Sequence, residues 1–143
     1  MMLFSISFWG GSSVHTQIIV CDDISFDNTK KKHVLGMVTN QIKVRVLPAV
    51  IKFSFLLKIT NMPINQEVLT EMKIINSRQE VIGHTTYYNK NYRSNGEIPG
   101  VDQNYNIAVL VEETGPIFLE CYINDNKMNW YPIDISCEEE CTL

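Results

Sequence analysis

The feature of this sequence that most constrains its fold is an alternation of apolar and polar residues along short segments. In the clearest segment, Val50 to Thr60, every second residue is apolar: Ile51, Phe53, Phe55, Leu57 and Ile59. A period of two places successive side chains on opposite faces of an extended chain, whereas a helix requires a period near 3.6. The segment therefore predicts a β-strand with one buried face. Pro48, which has no N–H to donate, ends any pairing before it.

Similar segments recur along most of the chain, separated by turn-forming residues. We expect strands at Gln17–Phe26, Val34–Val46 (one long or two short, broken near Thr39), Glu67–Ile75, Val81–Tyr88, Tyr105–Val111, Ile117–Ile123 and Asn129–Ile135. No segment carries the ten-residue amphipathic pattern of a helix. Short strands at close, regular spacing predict an all-β fold, an antiparallel β-sandwich of about seven to nine strands, immunoglobulin-like or C2-like. A barrel is the weaker alternative.

The length of 143 residues and an apolar content of 45% predict a single β-sandwich domain over residues 1–143. Residues 1–13 are interpreted as an N-terminal extension and residues 137–143 as an acidic tail. No run of about 20 apolar residues predicts a membrane span. The apolar start lacks a basic region and a cleavage site, so we expect no signal peptide. Free thiols in a reducing cytoplasm are then the default expectation for the cysteines, with Cys21 and Cys121 buried in strands, while Cys137 and Cys141 are left open as free, bridged or metal-bound.

The charged residues are distributed unevenly. Between Asn28 and Gln66 there are seven basic residues and no acid, whereas from Glu112 onward eight acids accompany one base. We favour the interpretation that strands of opposite charge lie against one another, rather than two separate partner surfaces. If Val50–Thr60 and Glu67–Ile75 form a hairpin, Lys58 lies opposite Leu69 and close to Glu67 and Glu71. The basic stretch also supplies candidate contact residues for a partner: Lys43, Arg45, Lys52 and Lys58, within a surface that runs from Lys30 to Lys58.

A second candidate contact surface is an aromatic and basic cluster. Tyr87, Tyr88, Tyr92 and Arg93 lie at the start of Asn89–Asp102, a long segment rich in Asn, Gly and Pro. We expect this segment to be an exposed loop and the most mobile part of the domain. Tyrosine and arginine are favoured at protein interfaces and also stack on single-stranded bases. Because the chain carries a net charge of −4, a protein partner is favoured over nucleic acid, and a loop without a binding role is favoured over both.

Asp22 and Asp23 interrupt an apolar alternation. Asp22 would point inward in an unbroken strand, where an unpaired carboxylate is costly. We therefore favour a strand that ends at Cys21, with the two acids capping the next turn. A calcium site that uses Asp22, Asp23 and Asp27 as oxygen ligands is the weaker alternative. We expect no metal and no cofactor.

The chain ends in two cysteines that flank three acids, Cys137-Glu138-Glu139-Glu140-Cys141. This spacing is a weak zinc signal, because it has no second ligand pair. A disulfide between the two cysteines requires a helical turn. We favour a solvated acidic tail.

The first strand and the next apolar segment support a resemblance to a known family. Ile18 to Ile24 contains Cys21-Asp22, a polar turn follows, and Val34 to Val38 contains Leu35 and Gly36. This order resembles the start of a family of small bacterial proteins of unknown function, in which a strand ending in Cys-Asp leads to a Leu-x-Gly strand. The segment from Gly115 to Ile135 is similar to that family's end. The resemblance implies a sandwich-like β domain and assigns no functional residues.

The sequence contains no arrangement typical of an active site. No serine or cysteine has a Gly-x-Ser-x-Gly context, no glycine-rich loop precedes a helix, and the three histidines are scattered. We therefore expect no catalytic residue and predict a non-enzymatic binding or accessory module that acts through protein contacts. One alternative is a calcium- or lipid-headgroup-binding C2-like sandwich, and the least favoured is a small enzyme. A homo-oligomer is left open.

Overall fold

The computed structural model describes residues 14–138, in which ten β-strands and no helix occur. The predicted N-terminal extension, Cys141 and most of the predicted acidic tail lie outside these residues. Within them, no helix has the length and hydropathy needed to cross a membrane. The strands are β1 (His15–Cys21), β2 (Ile24–Asp27), β3 (Lys32–Leu35), β4 (Gln41–Val44), β5 (Ala49–Thr60), β6 (Val68–Ile75), β7 (Val81–Asn89), β8 (Gly100–Val111), β9 (Gly115–Ile123) and β10 (Asn126–Cys137).

The strands form two packed sheets and a separate hairpin. One sheet has three strands in the order β1-β5-β8, and the other has five in the order β4-β10-β9-β6-β7. β2 and β3 form the hairpin. β4 and β10 pair in parallel, and the other strand pairs within residues 14–138 are antiparallel. The predicted all-β sandwich is confirmed, with eight strands in its two sheets and two more in the hairpin.

β5 carries the clearest alternation and is the central strand of the three-stranded sheet. Its five alternate apolar side chains, from Ile51 to Ile59, are buried in the core between the sheets. Phe55 stacks on Tyr105 of β8 with ring centroids 4.5 Å apart. On the opposite face Leu56 is also buried, because the β2–β3 hairpin covers it. The inward face was predicted correctly, whereas the covering of the outward face was not.

The hairpin considered for Val50–Thr60 and Glu67–Ile75 is not formed. β5 pairs with β1 and β8, whereas β6 pairs with β7 and β9 in the other sheet. Both edges of β5 are therefore occupied. The connection after Thr60 crosses between sheets, which lets β5 and β6 bury their apolar faces in one shared core. Lys58 lies opposite Gln17 and Asp102, not opposite Leu69.

The predicted strand Gln17–Phe26 is two strands. β1 ends at Cys21, as the favoured interpretation of the two acids requires, and β2 begins at Ile24. Asp22 is exposed, and its Oδ1 accepts a hydrogen bond from the N–H of Met37 at 2.8 Å instead of capping the next turn. The predicted break near Thr39 is confirmed, because β3 ends at Leu35 and β4 begins only at Gln41.

β4 of the basic segment pairs with β10 of the acidic segment, so strands of the two segments are neighbours there, as the favoured interpretation requires, although few ion pairs join them. Among ion pairs between residues 14–138, only Arg45 and Glu138 join the basic segment to the acidic one, with a separation of 4.0 Å. Glu112 and Glu113 of the acidic segment instead form ion pairs with Arg78, which lies outside the basic segment. The basic segment therefore keeps surplus positive charge on its surface.

Candidate functional site

The β2–β3 hairpin and the loop formed by residues 90–99 border an open groove of about 660 Å³. Its floor includes Leu56, on the outer face of the three-stranded sheet. Side chains reach the groove from separate parts of the sequence, because the sheet brings β5 beside β8 and the hairpin folds over β5. We call this site the hairpin groove and define it by Phe26, Lys31, Lys32, Lys58, Tyr92 and Arg93.

The hairpin side of the groove is shaped by a turn that Asp27 organises. Its Oδ1 accepts hydrogen bonds from the N–H groups of Thr29 and Lys30, both at 2.9 Å. Asp27 also accepts a backbone bond from Lys31 at 2.7 Å, and Lys31 adopts a φ of 58°. Asp and Asn are favoured in turns for such local bonds. The turn places Lys31 and Lys32 along the groove, and neither forms an ion pair with another described residue.

The loop side of the groove is held by a carboxylate shared between two cations. Asp102 Oδ2 accepts from Lys58 Nζ at 2.9 Å, and its Oδ1 accepts from Arg93 Nη2 at 3.1 Å. All three side chains are between 25% and 31% exposed. Arg93 Nη1 also donates to the carbonyl of Ile98 at 3.0 Å. One carboxylate balances one of the two positive charges, so this cluster retains an excess positive charge.

Further hydrogen bonds close the 90–99 loop on itself. Asn91 Oδ1 accepts from the N–H groups of Arg93, at 3.0 Å, and of Gly100, at 2.9 Å. A side chain at Gly100 would collide with the carbonyl oxygen of Ile59, so glycine allows the loop to join β5 closely. The predicted irregular segment is therefore present, although β8 already begins at Gly100. The prediction that this segment is mobile stays a prediction.

The groove combines exposed aromatic rings with positive charge. Tyr92 is 73% exposed, and the Lys90 ammonium lies 5.7 Å from the centre of its ring. Phe26 is 44% exposed and contacts His33 edge to face at 5.0 Å. Four cationic side chains and two carboxylates, Glu97 and Asp102, line the groove, an excess of +2 when His33 is neutral.

Three of the eight predicted contact residues meet in the hairpin groove: Lys58, Tyr92 and Arg93. The other five lie elsewhere. Tyr87 contacts Tyr105 of β8 edge to face and is still 46% exposed, and Tyr88 is 69% exposed on the same strand. Lys43 and Lys52 are exposed on β4 and β5, and Arg45 follows β4.

The sequence interpretation did not place Phe26 in the site. Its apolar character inside a predicted strand indicated a core position, and only the hairpin fold exposes it. Lys31 and Lys32 belong to the predicted basic surface, and their position in a run of three lysines was the available signal.

Two of the three aspartates considered as calcium ligands accept hydrogen bonds from backbone N–H groups. Asp22 bonds to Met37, and Asp27 bonds to its own turn. Among residues 14–138, no group of three or more His, Cys, Asp or Glu side chains is arranged to hold a metal ion.

The clearest histidine–carboxylate pair lies outside the groove, on the outer face of the five-stranded sheet. Glu71 Oε2 is 2.6 Å from His84 Nε2, and Thr86 Oγ1 is 3.4 Å from the same nitrogen. A proton relay through a histidine uses its two different ring nitrogens. Since both contacts use Nε2, the Glu71–His84–Thr86 group does not have the geometry of a catalytic triad.

The cysteines in the described strands differ in state. Cys21 and Cys121 are free and fully buried, as predicted. Cys137, at the end of β10, is disulfide-bonded, so the default expectation of free thiols is wrong for this cysteine. A free thiolate at Cys137, as a zinc site would need, is therefore not present.

Together, the fold and the groove define a β-sandwich with an open basic groove on the outer face of its three-stranded sheet. The chain matches no protein-family model and no curated protein sequence. Among solved structures it is similar to an immunoglobulin-like protein from Pseudomonas aeruginosa, with 12% identity and a TM-score of 0.41. That match covers 87% of this chain and 97% of the other.

Two further similar structures are enzymes of which this chain spans only a part. The alkylpurine DNA glycosylase AlkC from Pseudomonas fluorescens, bound to DNA containing an abasic site analog, is 12% identical with a TM-score of 0.42. The match covers 89% of this chain and 31% of the glycosylase. A β-glucosidase from Listeria innocua is 5% identical with a TM-score of 0.44. The match covers 87% of this chain and 16% of the β-glucosidase.

Proposed function

We propose that the protein is a non-enzymatic binding module that binds a protein partner in the hairpin groove. The observation that carries the proposal is the convergence of aromatic and cationic side chains from the hairpin, from β5 and from the 90–99 loop on one open groove. Tyrosine and arginine are enriched among the residues that dominate binding energy in protein interfaces. Tyr92 and Arg93 provide both types at adjacent positions.

The energetics of the groove favour binding of a macromolecular surface. The exposed Tyr92 ring offers a large apolar area, and burying such area stabilises a complex by about 25 cal/mol per Å² before the costs of association. Arg93 is already held by Asp102 and Ile98, so little side-chain entropy is lost when a partner contacts it. A cytoplasmic location is part of this proposal; it rests on the sequence, whereas the disulfide at Cys137 is typical of an oxidising compartment.

The calcium- or lipid-headgroup-binding alternative has no comparable support, because Asp22 and Asp27 already bond backbone N–H groups. The enzyme alternative has none either, because the Glu71–His84–Thr86 contacts share one ring nitrogen. We therefore propose one function only.

The proposal is tested by crosslinking in a native lysate of the source cells. A photo-crosslinking amino acid replaces Tyr92, and in a second protein it replaces Trp130, an exposed aromatic residue on β10 of the other sheet. We expect a discrete protein adduct from position 92 and none from position 130.

The same capture is repeated with a Lys31→Glu/Lys32→Glu variant that carries the crosslinker at position 92. We expect the yield of the adduct to fall by about tenfold, because the variant reverses two charges that attract and hold the partner. An adduct that forms equally from both positions, or that is unaffected by the charge reversal, contradicts binding in the hairpin groove.

A further inference from the structure

We propose that the segment of the partner that enters the hairpin groove is acidic and extended, with apolar side chains between its carboxylates. This inference rests on the proposed function and specifies its partner chemistry. The carboxylates would contact Lys31, Lys32 and Arg93, and an apolar side chain would pack between Phe26 and Tyr92.

Charge complementarity is the first support for an acidic occupant. Lys31 and Lys32 have no acidic partner among the described residues, and Lys58 and Arg93 share the single carboxylate of Asp102. The lining therefore has an excess of +2, whereas the whole chain carries −4 and the rest of it −6. An acidic segment is attracted to the groove and repelled by the remaining surface, which orients its approach.

The lining also has apolar parts, so the partner needs apolar side chains as well as negative charge. Leu35, Leu56 and Val101 line the groove beneath the charged side chains, and Phe26 and Tyr92 are exposed beside them. A purely anionic ligand would leave these surfaces in contact with water. A segment that alternates acidic and apolar residues satisfies both, because an extended chain directs successive side chains to opposite sides.

A peptide is favoured over a nucleic acid by the charge of the surroundings. A nucleic acid carries a continuous row of phosphates, and its binding requires many cations along its path. Outside the groove this chain has a net charge of −6. A short acidic peptide places its charge within the groove alone.

The inference is tested by fluorescence anisotropy with a labelled peptide of about ten residues, roughly 33 Å when extended, in which Glu alternates with Leu and Phe. We expect saturable binding that weakens by about tenfold or more between about 50 mM and about 500 mM NaCl, because salt screens exposed charges. A peptide with Gln in place of Glu should bind at least about tenfold more weakly.

Three variants locate the binding. Lys31→Glu/Lys32→Glu should weaken binding about tenfold or more, whereas Lys43→Glu/Lys52→Glu changes the net charge equally outside the groove and should have an effect of less than about threefold. Asp102→Asn removes the carboxylate that competes for Lys58 and Arg93, so it should strengthen binding. Circular dichroism checks that each variant is folded.

Several outcomes would overturn the inference. These are equal binding of the Glu and Gln peptides, equal loss in the two double variants, tighter binding of a single-stranded RNA of the same charge, or self-association through the groove in sedimentation experiments. If the Glu peptide fails but crosslinking from position 92 succeeds and depends on Lys31 and Lys32, the proposed function stands and the acidic partner is wrong. If both fail, both proposals fail.

Discussion

At the scale of single residues, burial controls the chemistry of the two free cysteines. Cys21 ends β1 and Cys121 lies within β9, and both side chains are fully buried. Burial raises the pKa of the Cys121 thiol to about 12. Burial also raises the pKa of the Cys21 thiol, and the negative charge of Asp22 adds to this effect. Since the thiolate is the nucleophile, both cysteines are expected to be inert near neutral pH.

We therefore predict that iodoacetamide at about pH 8 does not modify Cys21 or Cys121 in the folded protein, because an exposed thiol has a pKa of about 8.5 and theirs are raised. Peptide mapping by mass spectrometry measures the modification of each cysteine separately. The control is the same reaction in denaturant, where both must be modified. Rapid modification of either thiol without denaturant would contradict its burial.

At the scale of elements, the β2–β3 hairpin changes the role of one face of β5. Leu56 points away from the main core and is nevertheless only 6% exposed, because it packs with Cys21 and Ile24 beneath the hairpin. Leu110 of β8 lies on the same outer face, opposite Val50, and is 50% exposed. The two leucines therefore form a matched pair that differs in whether the hairpin covers them.

We predict that Leu56→Ala lowers the free energy of unfolding by about 2–4 kcal/mol, because it leaves a cavity under the hairpin. Leu110→Ala should change it by no more than about 0.5 kcal/mol, as for an exposed position. Urea denaturation followed by circular dichroism measures both values. Equal effects of the two substitutions would show that the hairpin does not pack on β5.

At the scale of the whole molecule, one core joins the two sheets. A continuous cluster of buried side chains contains Phe55 and Leu57 of β5 together with Met72 of β6, Leu119 of β9 and Ile133 of β10. Neither sheet retains a buried face without the other. The charge distribution is also a property of the whole molecule, because a positive groove on a molecule with net charge −4 directs the approach of acidic partners.

Because the two sheets share this core, we predict a single cooperative unfolding transition. Far-UV circular dichroism, which follows the strands, and tryptophan fluorescence, which includes Trp130 on the five-stranded sheet, should give the same urea midpoint. Two separate midpoints would contradict the prediction of one domain.

The candidate site could be predicted from the sequence only in part. Tyr92 and Arg93 are adjacent, and their residue types indicated an interface. Lys58 was selected for its charge, but its partner was predicted on the wrong strand, because alternation shows which face a residue occupies and not which strand lies beside it. Phe26 was missed because its exposure depends on how a four-residue strand folds back over another sheet.

The sequence by itself determined that the chain folds into β-strands and which side chains of β5 face the core, since both follow from a local period of two. It also determined that a strand ends at Cys21, where two charged residues would otherwise be buried. The tertiary structure alone decided that β5 and β6 lie in different sheets, that Leu56 is covered and that Lys58 meets Asp102. These pairings join residues far apart in the chain, and their free energy depends on the whole core and not on any local pattern.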